Sequence, residues 1–354
     1  MMTQIFYRTT KTGICIFLFL WFGTVFLNAQ TKKGIEIISS EKDNKVDVLF
    51  DGKLFTSYIY PDNLEKPVLY PIYTSEGTVI TRGFPRNPRP GERVDHPHHV
   101  GLWFNYGDVN GLDFWNNSYA IPADKKPGYG SIRHQKVLEA SSGKDKGILK
   151  VSTNWIDSKG TVLLVEESTF VFSGTKSLRR IDRTTVLTAQ AANVNFKDNK
   201  EGMMAIRVDR AFEEPSNKTE QFTDATGNPT TVAVLNNEGV NGVYRSSKGL
   251  EKGDVWGTQA DWMKLSATKG NEKITIAMID HKRNVGYPAH WHARGYGLFS
   301  MNNLGAKVYN PTEDEFVYVL EAGKSVTFHH RILVNSGNFL SDAEMNTEFS
   351  EFNN

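Results

Sequence analysis

The chain has 354 residues, with 41 basic against 40 acidic side chains, a net charge of +1, 12% aromatic residues and one cysteine. So even a balance gives no electrostatic ground for nucleic acid or an anionic membrane surface as partner. With Cys15 as the one thiol, a disulfide framework and a cysteine-ligated metal centre are excluded.

Residues 1–29 read as a signal peptide. Arg8 and Lys11 precede an apolar run from Ile14 to Leu27, and Asn28-Ala29-Gln30 places a small residue before the expected cut. The run is about 14 residues long, short of the ~20 that a membrane-spanning helix needs. Cleavage would take the basic count from 41 to 39 against 40 acidic residues, and would remove Cys15. The expectation is a periplasmic or secreted protein with no thiol and no integral membrane segment after cleavage.

The remainder, 30–354, is expected to be one all-β domain, a large antiparallel two-sheet sandwich with a short C-terminal helix. Runs of Thr, Val, Ile, Phe and Tyr broken by Gly, Asn, Asp and Lys carry strand character. Val46–Phe50 and Leu54–Tyr60 flank Asp51-Gly52-Lys53, where Asp-Gly suits a tight hairpin turn. Thr78–Thr81, Val100–Asn105, Lys136–Ala140 and Ile148–Trp155 follow. Thr161–Phe172 and Leu178–Thr188 turn around Ser173-Gly174-Thr175. Met203–Val208 precedes a polar stretch from Phe212 to Val240, expected as a long loop or a boundary. Trp262–Ala267, Ile274–Ile279, Tyr296–Met301, Phe316–Leu320 and Ser325–Val334 complete the strands. In the last, Val326, Phe328, His330 and Ile332 alternate with Thr327, His329 and Arg331, as one buried face requires. Helical periodicity is confined to Ser341–Phe352, where Ser341 and Glu344 have capping-box spacing. No repeat of 20–50 residues points to a propeller or solenoid.

Two segments concentrate chemistry. Asp95-His96-Pro97-His98-His99-Val100-Gly101-Leu102-Trp103-Phe104 holds three of the nine histidines within four positions. Imidazole can donate, accept, shuttle a proton or bind metal at neutral pH, so the cluster marks a candidate site on a loop entering a strand. Its structural alternative places His98 and His99 on opposite faces, one packed and one solvated. Pro288-Ala289-His290-Trp291-His292-Ala293-Arg294 spaces His290, His292 and Arg294 two residues apart, on one face of a strand with Trp291 on the other. A row of imidazoles and a guanidinium suits an oxygen-rich ligand such as a sugar or carboxylate. Asp108 and Asp113 bracket Asn110-Gly111 and suit a turn, while Asp209 is placed to pair with Arg207. Glu166 and Glu167 fall on opposite faces of a strand. No Gly-rich phosphate loop, Gly-x-Ser-x-Gly elbow, His-Glu-x-x-His or EF-hand loop is found.

The stretches from His96 to Phe104 and from Gly107 to Trp115, with Pro288–Gly297, the Gly-Leu-Phe-x-x-Asn-Asn after it and the Lys66–Pro71 approach, resemble the bacterial PmoA-like family, labelled "methane oxygenase PmoA". The likeness spans most of the mature chain. It implies an exported protein of polysaccharide-degrading bacteria and, by its many long strands with clustered histidines, a galactose-mutarotase-type supersandwich. It transfers no catalytic residue.

These observations lead to an exported carbohydrate-active protein whose partner is a small carbohydrate or an oligosaccharide. His98, His99, His290 and His292 are the candidate catalytic residues, a histidine acting as general acid and a carboxylate as general base. Arg294, Trp103, Asp113, Asn302 and Arg207 are assigned to ligand binding. Epimerase, lyase and glycoside hydrolase chemistry are all compatible, with no cofactor. The alternatives are a non-catalytic carbohydrate-binding protein, an enzyme with a divalent metal on His98, His290 and His292, and an envelope structural protein with incidental histidines.

Overall fold

Alternation of apolar and polar side chains dominates the sequence, and the computed structural model turns it into two large antiparallel sheets. It describes residues 1, 2, 4, 5, 34–224, 226, 228–232 and 236–354. The expected signal segment falls almost entirely outside these residues. The first sheet orders its strands Ile35–Ser40, Lys45–Phe50, Lys53–Ile59, Val68–Ile72, Leu102–Tyr106, Gly202–Arg207, Leu298–Asn302 and His290–Trp291. The second runs Val243–Ser246, Trp262–Lys269, Glu272–Asp280, Ser325–Ser336, Leu178–Ala189, Val162–Gly174, Lys146–Ile156 and Ser131–Ser141. The expected all-β, two-sheet antiparallel sandwich is the architecture observed.

The inner faces meet through aromatic pairs, with Phe104 and Phe328 ring centroids 5.9 Å apart, Tyr58 and Phe170 6.0 Å apart and Tyr244 and Phe299 5.4 Å apart. Such contacts add to the burial that drives two sheets together. Glu166 points into this core, accepting from Trp155 Nε1 at 2.8 Å and pairing with Arg183 at 2.8 Å, while Glu167 faces out to Lys150. Ser341 caps the helix Asp342–Asn353 reciprocally with Glu344. Thr78–Thr81 makes only the bridges Tyr73–Val79 and Thr81–Val208 and forms no strand, because Gly77 and the Gly83-Phe84-Pro85 turn cut it short. The polar stretch after Phe212 carries a small ladder, Glu220–Thr223 with Pro229–Val232.

The outer face of the first sheet is where histidines gather. Leu102, Phe104, Met204, Ile206, Phe299 and Met301 point into the main core. The intervening Trp103, Ala205 and Leu298 therefore point outward, where they join Val68, Tyr70, Val100 and Trp115 in a second apolar cluster. On the last strand Trp291 and Ala293 belong to the main core, which turns His290, His292 and Arg294 to that same outer side.

The segment leading into that strand is pinned by Asp280. Its carboxylate accepts from the backbone N–H groups of His281 at 3.0 Å and Ala289 at 2.8 Å. It also accepts from Asn284 Nδ2 at 2.7 Å and Asn303 Nδ2 at 3.0 Å. Burial pushes this carboxyl up to about 6 against the pull of those donors. Asp280→Ala leaves several buried donors unpaired at about 1–3 kcal/mol each. We expect urea unfolding to show a loss of at least about 3 kcal/mol, and an unchanged midpoint would contradict this role.

Candidate functional site

Asp95 is the centre of the site. Its Oδ1 lies 2.7 Å from Arg82 Nη1 and 2.6 Å from Arg207 Nη2, and these two arginines are 1% and 0% exposed. Burial alone would raise the Asp95 carboxyl, but Arg207, the His96 hydrogen bond and Arg82 hold it well below the ordinary carboxylate range. Arg82 also donates to the backbone carbonyls of Asp95 at 2.8 Å, His96 at 2.8 Å and His99 at 3.2 Å, so one guanidinium shapes the whole turn. Gly101 ends it at φ +60, where a Cβ would lie 2.3 Å from the Leu69 carbonyl oxygen; the chain can re-enter the sheet there only as glycine.

Asp95 Oδ2 lies 2.6 Å from His96 Nδ1. The charged carboxylate fixes the proton on Nδ1 and leaves Nε2 free. His96 occupies left-handed backbone at φ +45, a conformation that a non-glycine residue keeps only when its surroundings impose it. Its ring stacks between Tyr296, 5.1 Å away at 6°, and His99, 4.8 Å away at 3°. His99 lies in turn on Trp103 at 5.2 Å, completing a column of four rings. His99 Nδ1 accepts from Arg207 Nη1 at 3.2 Å, which places its own proton on Nε2.

A cavity of about 720 Å³ lies over this column, with His96, His98, His99, His292, Arg294 and Glu214 among its walls. The loop and strand histidines thus meet at one place. His292 Nδ1 donates to the Lys200 carbonyl at 3.0 Å, which leaves Nε2 to accept from Arg294 Nε at 3.4 Å. Burial, followed by the Arg294 charge, pushes His292 down to about 3. Burial and then Lys66 push His98 to about 2, and burial drives His99 well below its ordinary value. These three imidazoles stay neutral at physiological pH. A general acid works best with a pKa near the working pH, and burial holds these three rings below it.

Others of the expected residues stand apart from the cavity. His290 stacks on Tyr309 at 5.1 Å, lies 3.8 Å from the Glu313 carboxylate and is absent from the cavity wall. Trp103 is wholly buried beneath His99, and Arg207 beneath Tyr296, its guanidinium 4.8 Å from that ring. Arg207 pairs with Asp95, while Asp209 pairs with Arg89 and Lys269. Asp113 holds a turn, accepting from the N–H groups of Trp115 and Asn116 at 2.9 Å. Asn302 ties the Asn199 carbonyl and the Leu304 and Gly305 N–H groups together. Among the described residues no three His, Cys, Asp or Glu side chains converge as metal ligands, so His98, His290 and His292 do not form such a set.

Sequence reasoning passed over Asp95, His96 and Glu214 as site residues. The adjacent Asp-His pair was a visible signal; Glu214, in the polar stretch, gave none. Glu214 is brought in because its N–H donates to the Gly295 carbonyl at 2.8 Å. Burial raises its carboxyl, and its buried Oε1 has no hydrogen-bond partner among the described residues.

A family model for a family of unknown function, DUF6807, matches residues 45–350. The chain belongs to the DUF6807 family. The match takes in both histidine segments, and the PmoA-like name that the motifs suggest is not the one this family carries. No curated protein matches the chain in sequence. Similar solved structures include the GH36 alpha-galactosidase AgaB of Geobacillus stearothermophilus, 12% identical over 85% of this chain and 41% of that one, TM-score 0.39. A galactose mutarotase related enzyme of Lactobacillus acidophilus is 9% identical over 86% and 97%, TM-score 0.29. A putative aldose 1-epimerase of Escherichia coli is 10% identical over 86% and 99%, TM-score 0.30. The chain spans 41% of the length of the alpha-galactosidase.

Behind His98 lies a second cavity of about 290 Å³, which that residue shares with the first. Lys66 lines it, 5% exposed, donating to the His98 carbonyl at 2.9 Å and lying 5.3 Å from the Trp103 ring centroid. Burial draws its ammonium from 10.5 to about 7. The unfolded chain therefore holds a proton between about 7 and 10.5 that the folded chain has shed, so stability rises with pH across that window. Below about 7 both states are protonated and the full cost of the buried charge is present. Lys66→Met removes this dependence: the stability difference between wild type and variant, by chemical denaturation, shifts toward wild type as pH rises from 7 to 10. A difference that stays constant would place Lys66 in contact with water.

Proposed function

We propose that the cavity binds a carbohydrate and carries out acid–base chemistry on it, with His96 and Glu214 as the proton-transfer pair. The observation that carries this is the Asp95–His96 contact at 2.6 Å, which leaves an exposed imidazole Nε2 free at a wall of the cavity. A carboxylate that fixes one ring nitrogen leaves the other oriented to take and return a proton. Glu214 supplies the partner, because burial favours its protonated form. A wall of neutral histidines, Asn116 and Ser216 offers both donors and acceptors, which suits a ligand built of hydroxyl groups. A volume of about 720 Å³ accommodates more than one sugar ring. The same reading includes export, with 1–29 as the signal; N-terminal sequencing of protein from the cell envelope or medium tests it, and a start upstream of Gln30 counts against it.

The three neutral histidines favour a second reading, a carbohydrate-binding protein that does no chemistry. Proton NMR of the protein with a panel of mono- and oligosaccharides separates the two, since turnover changes the sugar's spectrum and binding alone does not. Under the catalytic reading, His96→Gln lowers kcat by about 10²–10⁴-fold with the fold intact. The wild-type rate falls as pH rises through the Glu214 value, above 4.5, and Glu214→Gln lowers the rate and abolishes that limb. Full turnover by His96→Gln would overturn the assignment.

A further inference from the structure

Arg294 is a cation of the cavity wall that no carboxylate of the described residues neutralises. Arg93, on the same wall, is paired with Glu213 at 2.7 Å and Glu220 at 2.6 Å, and Lys200 is paired with Glu201. The side-chain hydrogen bond of Arg294 goes instead to the neutral imidazole of His292, 3.4 Å from its Nε. Nothing in that contact offsets a positive charge. We propose that the ligand of this cavity is an acidic sugar, a hexuronate or an oligosaccharide containing one, whose carboxylate sits on the Arg294 guanidinium. This inference rests on the carbohydrate reading above and names its substrate class.

The guanidinium is held for such a contact. Its Cζ lies over the Trp256 ring, 4.8 Å from the centroid, and its Nε is taken up by His292, which leaves the Nη edge unbound among the described residues. The backbone is fixed by Arg294 N–H to the Leu298 carbonyl at 2.8 Å and by Gly297 N–H to the Arg294 carbonyl at 2.9 Å. A preset planar fork binds carboxylate with little further loss of side-chain freedom. His292 cannot compete for that anion as a cation, because its Nδ1 is committed to the Lys200 carbonyl and burial keeps it neutral. Glu214 lies against the same turn, since a Cβ on Gly295 would come within 2.9 Å of its Oε2, yet it forms no ion pair with Arg294. Lys218, on the same wall, is exposed and has no side-chain hydrogen bond or ion pair among the described residues, so Arg294 is the unpaired cation that the fold holds in place for an anion.

Isothermal titration calorimetry of the full chain with oligogalacturonates or oligoglucuronates, their methyl esters and the matching neutral oligosaccharides tests the assignment. A charge-assisted contact gives the free acid an advantage of about 10–100-fold over its ester. The advantage shrinks in high salt. Arg294→Ala abolishes the preference for acid over ester; Arg294→Lys keeps part of it. Equal affinity of wild type for acid and ester overturns this inference and leaves the carbohydrate reading standing. Binding of none of these sugars overturns both. A preference for a sulfated over a carboxylated sugar overturns the assignment of the anion. Should Arg294→Ala fail to fold, the ester comparison on wild type decides alone.

Discussion

Two arginines cannot be buried side by side without a shared counter-charge, and in this protein Asp95 is that charge. Arg82 and Arg207 are almost wholly shielded from water, and each lies within 2.7 Å of the same Asp95 oxygen. Taking one partner from a buried pair costs about 3–5 kcal/mol because the remaining charge is left stranded. The three groups therefore hold or fail together. The rest of the site hangs on that triad: Arg82 gathers the carbonyls of the histidine turn, Arg207 fixes the tautomer of His99, and the second Asp95 oxygen orients His96. A left-handed φ at His96 is sustained because Arg82 and the His99 N–H both bind its carbonyl.

Sheet geometry explains why this triad and the second histidine segment share a cavity. Trp103, Ala205 and Ser300 lie abreast on adjacent strands of the first sheet, and the His292 N–H donates to the Ser300 carbonyl at 2.9 Å. Neighbouring strands are about 4.8 Å apart, so segments separated by some two hundred residues are brought to one patch by three strand spacings. Ala205, between Trp103 and Ser300 in that row, is fully buried in the apolar cluster that it shares with Trp103 and Leu298. Asp280 holds the chain that leads to His290, accepting from the Ala289 N–H and from Asn303 Nδ2.

The fold was largely legible in the sequence because strand alternation is a local signal. Val326, Phe328, His330 and Ile332 read as one face and are all buried, and the reciprocal cap at Ser341 and Glu344 formed at the expected spacing. The site was legible at the level of segments and not of roles. His98, His99, His292 and Arg294 do meet, as clustering suggested, but His290 is drawn away by Tyr309, a residue nineteen positions on whose proximity no local pattern encodes. Arg207 and Asp209 looked like a pair because they are close in sequence. On a strand they point the same way, yet each finds a nearer partner across the fold. Glu214 sits in a stretch whose polarity read as a loop, and only the turn at Gly295 places it at the cavity.

Burial then sorts the histidines into kinds. An imidazole shielded from water and set among guanidinium groups is held neutral, as His98, His99 and His292 are, and a neutral ring serves as a fixed donor or acceptor. His96 differs from them in being exposed and in carrying a carboxylate on one nitrogen. The cluster thus sets one exposed ring, oriented by a carboxylate, among three buried neutral ones. That division also bears on Arg294. A neutral His292 beside it neither repels nor satisfies a guanidinium. Had His292 been an aspartate the wall would have been self-neutralised, and had it been exposed it would have titrated with the medium.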